Sequence, residues 1–197
     1  MRRAAACTAH RLRPPGRPRP RSHRRMGSGA ALDSRTDSWR RFLTDRVEAK
    51  LAELGLTLPQ AAAPVAAYVP TVEAGGLLHV SGQLPFIDGK LVTGRLGEDV
   101  SLEDGTAAAR ACGLMILAQV KAALGSLDRV ERVVKLGAFI NSTGDFTDQP
   151  KVANGASELM AAVFGDAGKH ARSAVGVPVL PLGAAVEVDA VLAVRAA

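Results

Sequence analysis

The 197 residues hold 25 Lys and Arg against 19 Asp and Glu, a net charge of +6, and 47% are apolar while only 4% are aromatic. That length can bury one full core, and the apolar fraction excludes a wholly disordered chain. The charge is unevenly placed. The first 46 residues carry thirteen arginines against Asp33, Asp37 and Asp45, a net of +10, which leaves the rest of the chain at −4. An acidic body argues against a broad phosphate-binding surface there, because phosphate contacts need clustered Lys and Arg, and nucleic acid is not an expected partner.

Residues 1–37 read as a disordered basic extension. Their Arg- and Pro-rich start lacks the apolar stretch of a secretory signal, and it could equally be a basic arm, a transit-like peptide or sequence preceding a start at Met26. Residues 38–63 read as a helix and linker. Trp39, Phe42, Leu43, Val47, Leu51 and Leu54 recur at three- and four-residue steps, with Asp37 or Ser38 as cap and Gly55 as stop. Pro59 and Pro64 then keep Leu56 to Ala67 irregular.

Residues 64–197 read as one domain. Tyr68 to Glu73 predicts an edge strand, since Pro70 has no ladder donor. Gly75-Gly76 turns the chain into a strand from Leu77 to Pro85, and Asp88-Gly89 makes a second tight turn before a short strand at Leu91-Val92. Ser101-Leu102-Glu103-Asp104 resembles a capping box ahead of a long apolar helix from about Thr106 to Leu124, closed by Gly125. Val133 to Asn141 predicts a strand, and Pro150 suits the first turn of a helix that ends at Phe164. Ala171 to Ala190 then predicts two strands joined as a hairpin by a connection rich in Pro and Gly. Strands and helices in this order make an α+β layer, a mixed, mainly antiparallel sheet with two helices on one face. Consecutive apolar residues at Ala174-Val175 and Val177 leave the other face needing cover, which another copy of the chain can supply.

Few residues have the types and spacing that chemistry requires. Cys7 and Cys112 make no disulfide framework, His10, His23, His79 and His170 are too scattered for a zinc site, and no uninterrupted apolar run reaches the ~18 residues of a membrane helix. A cytoplasmic protein without membrane partners is therefore expected. Cys112 reads as buried and inert, His79 as a packed or half-exposed strand residue, and His170 as a loop residue near Arg172 that borders a pocket or is simply solvated. Arg172 and Glu187 are the two charges inside the otherwise apolar run before Asp189. Each needs a partner, a ligand or an exit to water. Arg172 could await a carboxylate, which its planar fork holds bidentately, or the two could pair across the hairpin.

Several of these stretches together resemble the RidA (YjgF-like) family of reactive enamine and imine deaminases. The stretches are Ala171-Arg172-Ser173 with its following strand, the Leu-Pro-Leu-Gly connection, Val186-Glu187-Val188-Asp189-Ala190, and Ala67-Tyr68-Val69, in which Tyr68 lies thirteen residues ahead of Ser81 in Ser81-Gly82-Gln83-Leu84-Pro85. Asn154 matches a further family position, and the likeness runs from about Pro64 to Val194. The N-terminal helix points to a divergent branch. His170 stands where the family usually has proline, Ala66-Ala67 where it has Gly-Pro, and Ala174 where many members have cysteine. The resemblance implies a chorismate-mutase-like fold, a homotrimer with sites at subunit interfaces, and no cofactor or metal. It implies Arg172 as the clamp for the substrate carboxylate, Glu187 as the residue that positions or activates water, and Tyr68, Ser81, Gly82 and Asn154 as the pocket lining. The implied activity is that of a 2-iminobutanoate/2-iminopropanoate deaminase-type hydrolase, converting imines such as those from 2-aminoacrylate to 2-keto acids and ammonia. The alternative is a non-catalytic trimeric binding protein for small carboxylates.

Overall fold

The computed structural model describes residues 46–63 and 67–196. The expectations for residues 1–45, including the basic extension, the cap at Asp37 or Ser38 and the stripe residues Trp39, Phe42 and Leu43, lie outside the described residues. From Arg46 the first helix is as read: α1, Arg46–Glu53, buries Val47 and Leu51. Gly55, at φ +66, closes it. The amides of Gly55 and Leu56 bond back to the carbonyls of Ala52 and Leu51 at 3.0 and 2.9 Å, the pattern of a Schellman cap. Ion pairs from Arg46 to Asp128 and from Glu48 to Lys121 dock α1 beside the end of the long helix.

The sheet is built from β1 (Thr71–Ala74), β2 (Leu77–Gln83), β5 (Val130–Asn141), β6 (Ala171–Val177) and β7 (Val186–Val194), in the spatial order β1-β2-β7-β5-β6. A separate hairpin, β3 (Phe86–Ile87) with β4 (Lys90–Leu91), is closed by Asp88 and Gly89, both at positive φ as an Asp-Gly turn requires. The first strand starts at Thr71, three residues later than expected, and leaves Tyr68 and Val69 in the approach to it.

One expectation is overturned. β6 and β7 are not a hairpin: β7 runs antiparallel between β2 and β5, and β6 pairs parallel to the far edge of β5. A parallel neighbour needs a crossover, and α3 (Gln149–Phe164) provides it between β5 and β6. The Pro- and Gly-rich connection then carries the chain over the end of β5, whose Asn141 and Ser142 amides bond to the carbonyls of Ala185 and Val177. Turn residues are shared by tight hairpins and by such crossings, so local composition could not distinguish them.

One sheet face is covered by α2 (Leu102–Leu124) and α3. α2 begins four residues earlier than expected, with Ser101 Oγ accepting the Asp104 amide at 3.0 Å and Glu103 and Asp104 opposing the helix dipole in the first turn. Gly125, at φ +77, ends it. α2 is long and apolar enough to cross a membrane by length and composition, but 67% of its most apolar window is buried in this fold. α2 and α3 lie close: a Cβ at Gly155 would overlap the carbonyl oxygen of Thr106. Along β7 every second residue from Val186 to Val194 is buried against the helices. On the opposite face Val72 and Val175 are 51% and 45% exposed, and no element among the described residues covers them.

Candidate functional site

Arg172 lies at the outer end of a row that crosses the sheet as Val80, Ala190, Leu136 and Arg172, on the helix-covered side. The first three are buried. Because β6 is the edge strand, the guanidinium reaches the rim of the helical layer and meets α3. Nη1 donates to Asn154 Oδ1 and to Ser157 Oγ, each at 2.9 Å, and Nη2 donates to the Pro150 carbonyl at 3.1 Å. Residues 150, 154 and 157 are one and two turns apart and share a helix face. All three acceptors are neutral. Among the described residues Arg172 has no carboxylate partner, and three of its five N–H donors are used, which leaves Nε–H and one Nη2–H available. Arg172 borders an open cleft of about 450 Å³ with Ser157, Glu158, Lys169 and His170. A larger cavity of about 770 Å³, between α2, the 57–62 segment and the β3–β4 hairpin, takes in none of the predicted site residues.

Glu187 is on the other face of the sheet, so the two charges do not pair. Its cross-strand neighbour is Phe139, whereas that of Arg172 is Leu136, and β5 separates them. The Glu187 side chain lies over Gly82, where any Cβ would overlap the carboxylate. Gly82 therefore leaves room for the Glu187 carboxylate in its present position, and a Cβ there would displace that side chain. Burial raises the Glu187 carboxyl above the usual carboxylate range, and the like charge of Asp189 adds to the shift. Among the described residues the Glu187 carboxylate has neither a hydrogen-bond donor nor an ion-pair partner.

The sequence Ser81-Gly82 forms a bulge. Val80 pairs with Ala190 and Gln83 with Val188, so two residues of β2 oppose Asp189 alone. The Ser81 amide and hydroxyl bond to the carbonyls of Pro70 and Val69, at 2.9 and 3.0 Å, and tie the segment after Tyr68 to the bulge. Tyr68 is 47% exposed, and its hydroxyl has no hydrogen-bond partner among the described residues. The predicted residues thus form two groups: Arg172 with Asn154, and Ser81, Gly82 and Glu187, to which Tyr68 is linked through the next residue, Val69, whose carbonyl accepts from Ser81.

Several residues here were not nominated from the sequence. Buried Gln83 donates to the carbonyls of Ser81 and Gly82, bracing the bulge, and buried Gln119 of α2 donates to Ala62 O and Gln83 Oε1. An amide inside the apolar run of α2 was the available signal. Asp189 accepts the Gly137 amide at 2.9 Å. Ser157 bonds both Arg172 and His170. Cys112 is fully buried, and burial pushes its thiol well up, as befits an inert cysteine. His79 is exposed on the uncovered face. Among the described residues no three His, Cys, Asp or Glu side chains gather where they could hold a metal ion.

Residues 48–192 match the model of a family described as "YjgF/chorismate_mutase-like, putative endoribonuclease". The chain belongs to the YjgF (RidA) family. Within it, the chain is similar to Protein TCP17 of Trypanosoma cruzi, 58% identical over 149 residues, covering 75% of this chain and 93% of that protein. Among solved structures, the Agrobacterium tumefaciens protein Atu1372, of unknown function, is 47% identical with a TM-score of 0.74, covering 81% of this chain and 99% of its own. A Shewanella oneidensis protein that carries the endoribonuclease description is 36% identical with a TM-score of 0.73, covering 75% and 99%.

Proposed function

We propose that the chain assembles as a homotrimer in which the Arg172 group of one subunit faces the Glu187 group of its neighbour, and that the shared cleft hydrolyses small imines bearing a carboxylate. The observation that carries this reading is the pair of unfinished half-sites on opposite faces of one sheet. Arg172 has two donors left for an anion, and Glu187 is a desolvated carboxylate without a partner. The uncovered apolar face that carries Glu187 supports a second copy as the element that completes it.

The chemistry asks little of the protein. An enamine such as 2-aminoacrylate tautomerises to an imine that is already electrophilic beside its carboxylate. Nε–H and Nη2–H of Arg172 hold that carboxylate bidentately and fix the imine carbon in the cleft. Glu187 accepts a hydrogen bond from water and takes its proton as the oxygen bonds to the imine carbon. Collapse of the resulting carbinolamine breaks the C–N bond, the proton passes to nitrogen, and a 2-keto acid and ammonia leave. Water is the only co-reactant.

The endoribonuclease description of relatives is less well supported on this chain, whose sequence after residue 46 is net acidic. The test couples the purified protein to an enzyme that releases 2-aminoacrylate and follows keto-acid formation. Arg172→Ala is expected to abolish the acceleration, and an unchanged rate in that variant contradicts the assignment. Binding of 2-keto acids without turnover in the wild type would instead support a carboxylate-binding protein.

A further inference from the structure

A line of hydrogen bonds runs behind Arg172, and its direction is set from one end. The Gly168 carbonyl can only accept, so its 2.6 Å contact places a proton on His170 Nδ1. Nε2 of the neutral ring is then an acceptor, and it receives the Ser157 hydroxyl proton at 3.0 Å. With that proton committed, the Ser157 oxygen presents a lone pair to Arg172 Nη1–H at 2.9 Å. The carbonyl end is held in place, because Gly168 packs so closely on α3 that a Cβ would overlap the Met160 carbonyl oxygen. The charge on one imidazole therefore decides whether the Ser157 hydroxyl proton is committed to His170 or free for the cleft, while its oxygen accepts from Arg172.

We propose that His170 is a positioning residue for Arg172, acting through the Ser157 hydroxyl, and that it makes carboxylate capture in this cleft stronger as the pH falls. The inference rests on the reading of Arg172 as an anion clamp and adds the residue that tunes it. Protonated at Nε2, His170 becomes a donor, and the Ser157 oxygen accepts from His170 and Arg172 together. The hydroxyl proton loses its acceptor and is free for a ligand. A second positive charge also joins Arg172 at the cleft. A bound carboxylate offsets the repulsion between the two cations and can take the freed hydroxyl proton. Protonation and capture thus favour each other by the same factor, as linkage requires.

The other charges around His170 are Glu158 on α3, Lys169 beside it and Arg172 on β6. Asp166 pairs with Lys169 at 2.7 Å, which holds its carboxyl below the usual range, and Arg132 on β5 donates to the carbonyls of Lys169 and Asp166. Carboxylate, ammonium and guanidinium groups generally keep their charge between about pH 5.5 and pH 8, whereas imidazole does not. Among the described residues the other imidazole is that of His79, and Glu187 is a carboxyl raised by burial. Both lie on the opposite sheet face of the same chain. In the proposed trimer it is the neighbour's Glu187 that faces this cleft, so the variants must separate it from His170.

The test is calorimetric titration of the full chain with pyruvate at both ends of that range, for the wild type, His170→Gln and Ser157→Ala. The wild type is expected to bind roughly tenfold more tightly at the lower pH, the size of one pKa unit of coupling. Both variants are expected to lose most of that change. A wild-type slope retained in His170→Gln overturns the inference and assigns the slope to Glu187, while leaving the Arg172 clamp standing. No pyruvate binding by the wild type at either pH removes the clamp and this inference with it. A measurement without variants serves as well: saturating pyruvate should raise the NMR titration midpoint of the His170 ring, and an unmoved midpoint overturns the proposal.

Discussion

An arginine held only by neutral acceptors keeps its charge for something else, and this decides what Arg172 can do. Asn154, Ser157 and Pro150 orient the guanidinium without neutralising it. Arg172→Lys keeps the charge but loses the fork, and kcat/KM for imine hydrolysis is expected to fall by about 100-fold, the loss of one to two charge-assisted hydrogen bonds. Glu187 is governed by desolvation. Its carboxyl is raised in the folded state, so the fold binds more protons than the unfolded chain between the two values. Its contribution to stability is full below the unfolded value and is lost as pH rises through the folded one. Glu187→Gln should therefore raise Tm at neutral pH and leave it little changed near pH 4, while abolishing turnover; a Tm lowered at neutral pH would contradict the desolvated carboxylate. Gly82→Ala should displace Glu187 and reduce turnover sharply with pyruvate binding at Arg172 weakened less, measured as kcat against Kd. Arg172 and Glu187 were legible because they are isolated charges in an apolar run. Ser157 was not, since a helical serine reads equally as a solvated residue.

At the scale of elements, the bulge of β2 and the start of α3 place the two groups. Gln119 uses its two amide N–H donors on the Ala62 carbonyl and Gln83 Oε1, and Gln83 uses its two on the Ser81 and Gly82 carbonyls, so the bulge is fastened to α2 from the helix side. Gln119→Leu leaves the Ala62 carbonyl and Gln83 Oε1 without their donor, and should cost about 1–3 kcal/mol in denaturant unfolding. An unchanged midpoint would contradict a structural role for this pair. Helix ends were readable from Ser101, Pro150, Gly55 and Gly125, because caps act through neighbouring backbone groups. Strand order was not. Whether the residues after Val177 turn back or cross over depends on which strand β7 meets, and that partner, β2, is about a hundred residues away in sequence.

At the scale of the whole molecule, one face of the sheet is filled by α2 and α3 and the other, which carries Glu187, is left with exposed Val72 and Val175. The need for cover was visible in the consecutive apolar residues of β6, although Ala174 turns toward the helices and only alternate positions face outward. What no local pattern could show is that Arg172 and Glu187 point away from each other within one chain. The account therefore stands on the site being shared between copies. The direct measurement mixes Arg172→Ala and Glu187→Gln subunits, each inactive alone, after reversible dissociation, and assays imine hydrolysis. Random reassembly into a ring should restore about a quarter of wild-type activity, since one interface in four then pairs an intact Arg172 with an intact Glu187. Mixed subunits that reassemble as trimers and remain as inactive as the separate variants would contradict the shared site.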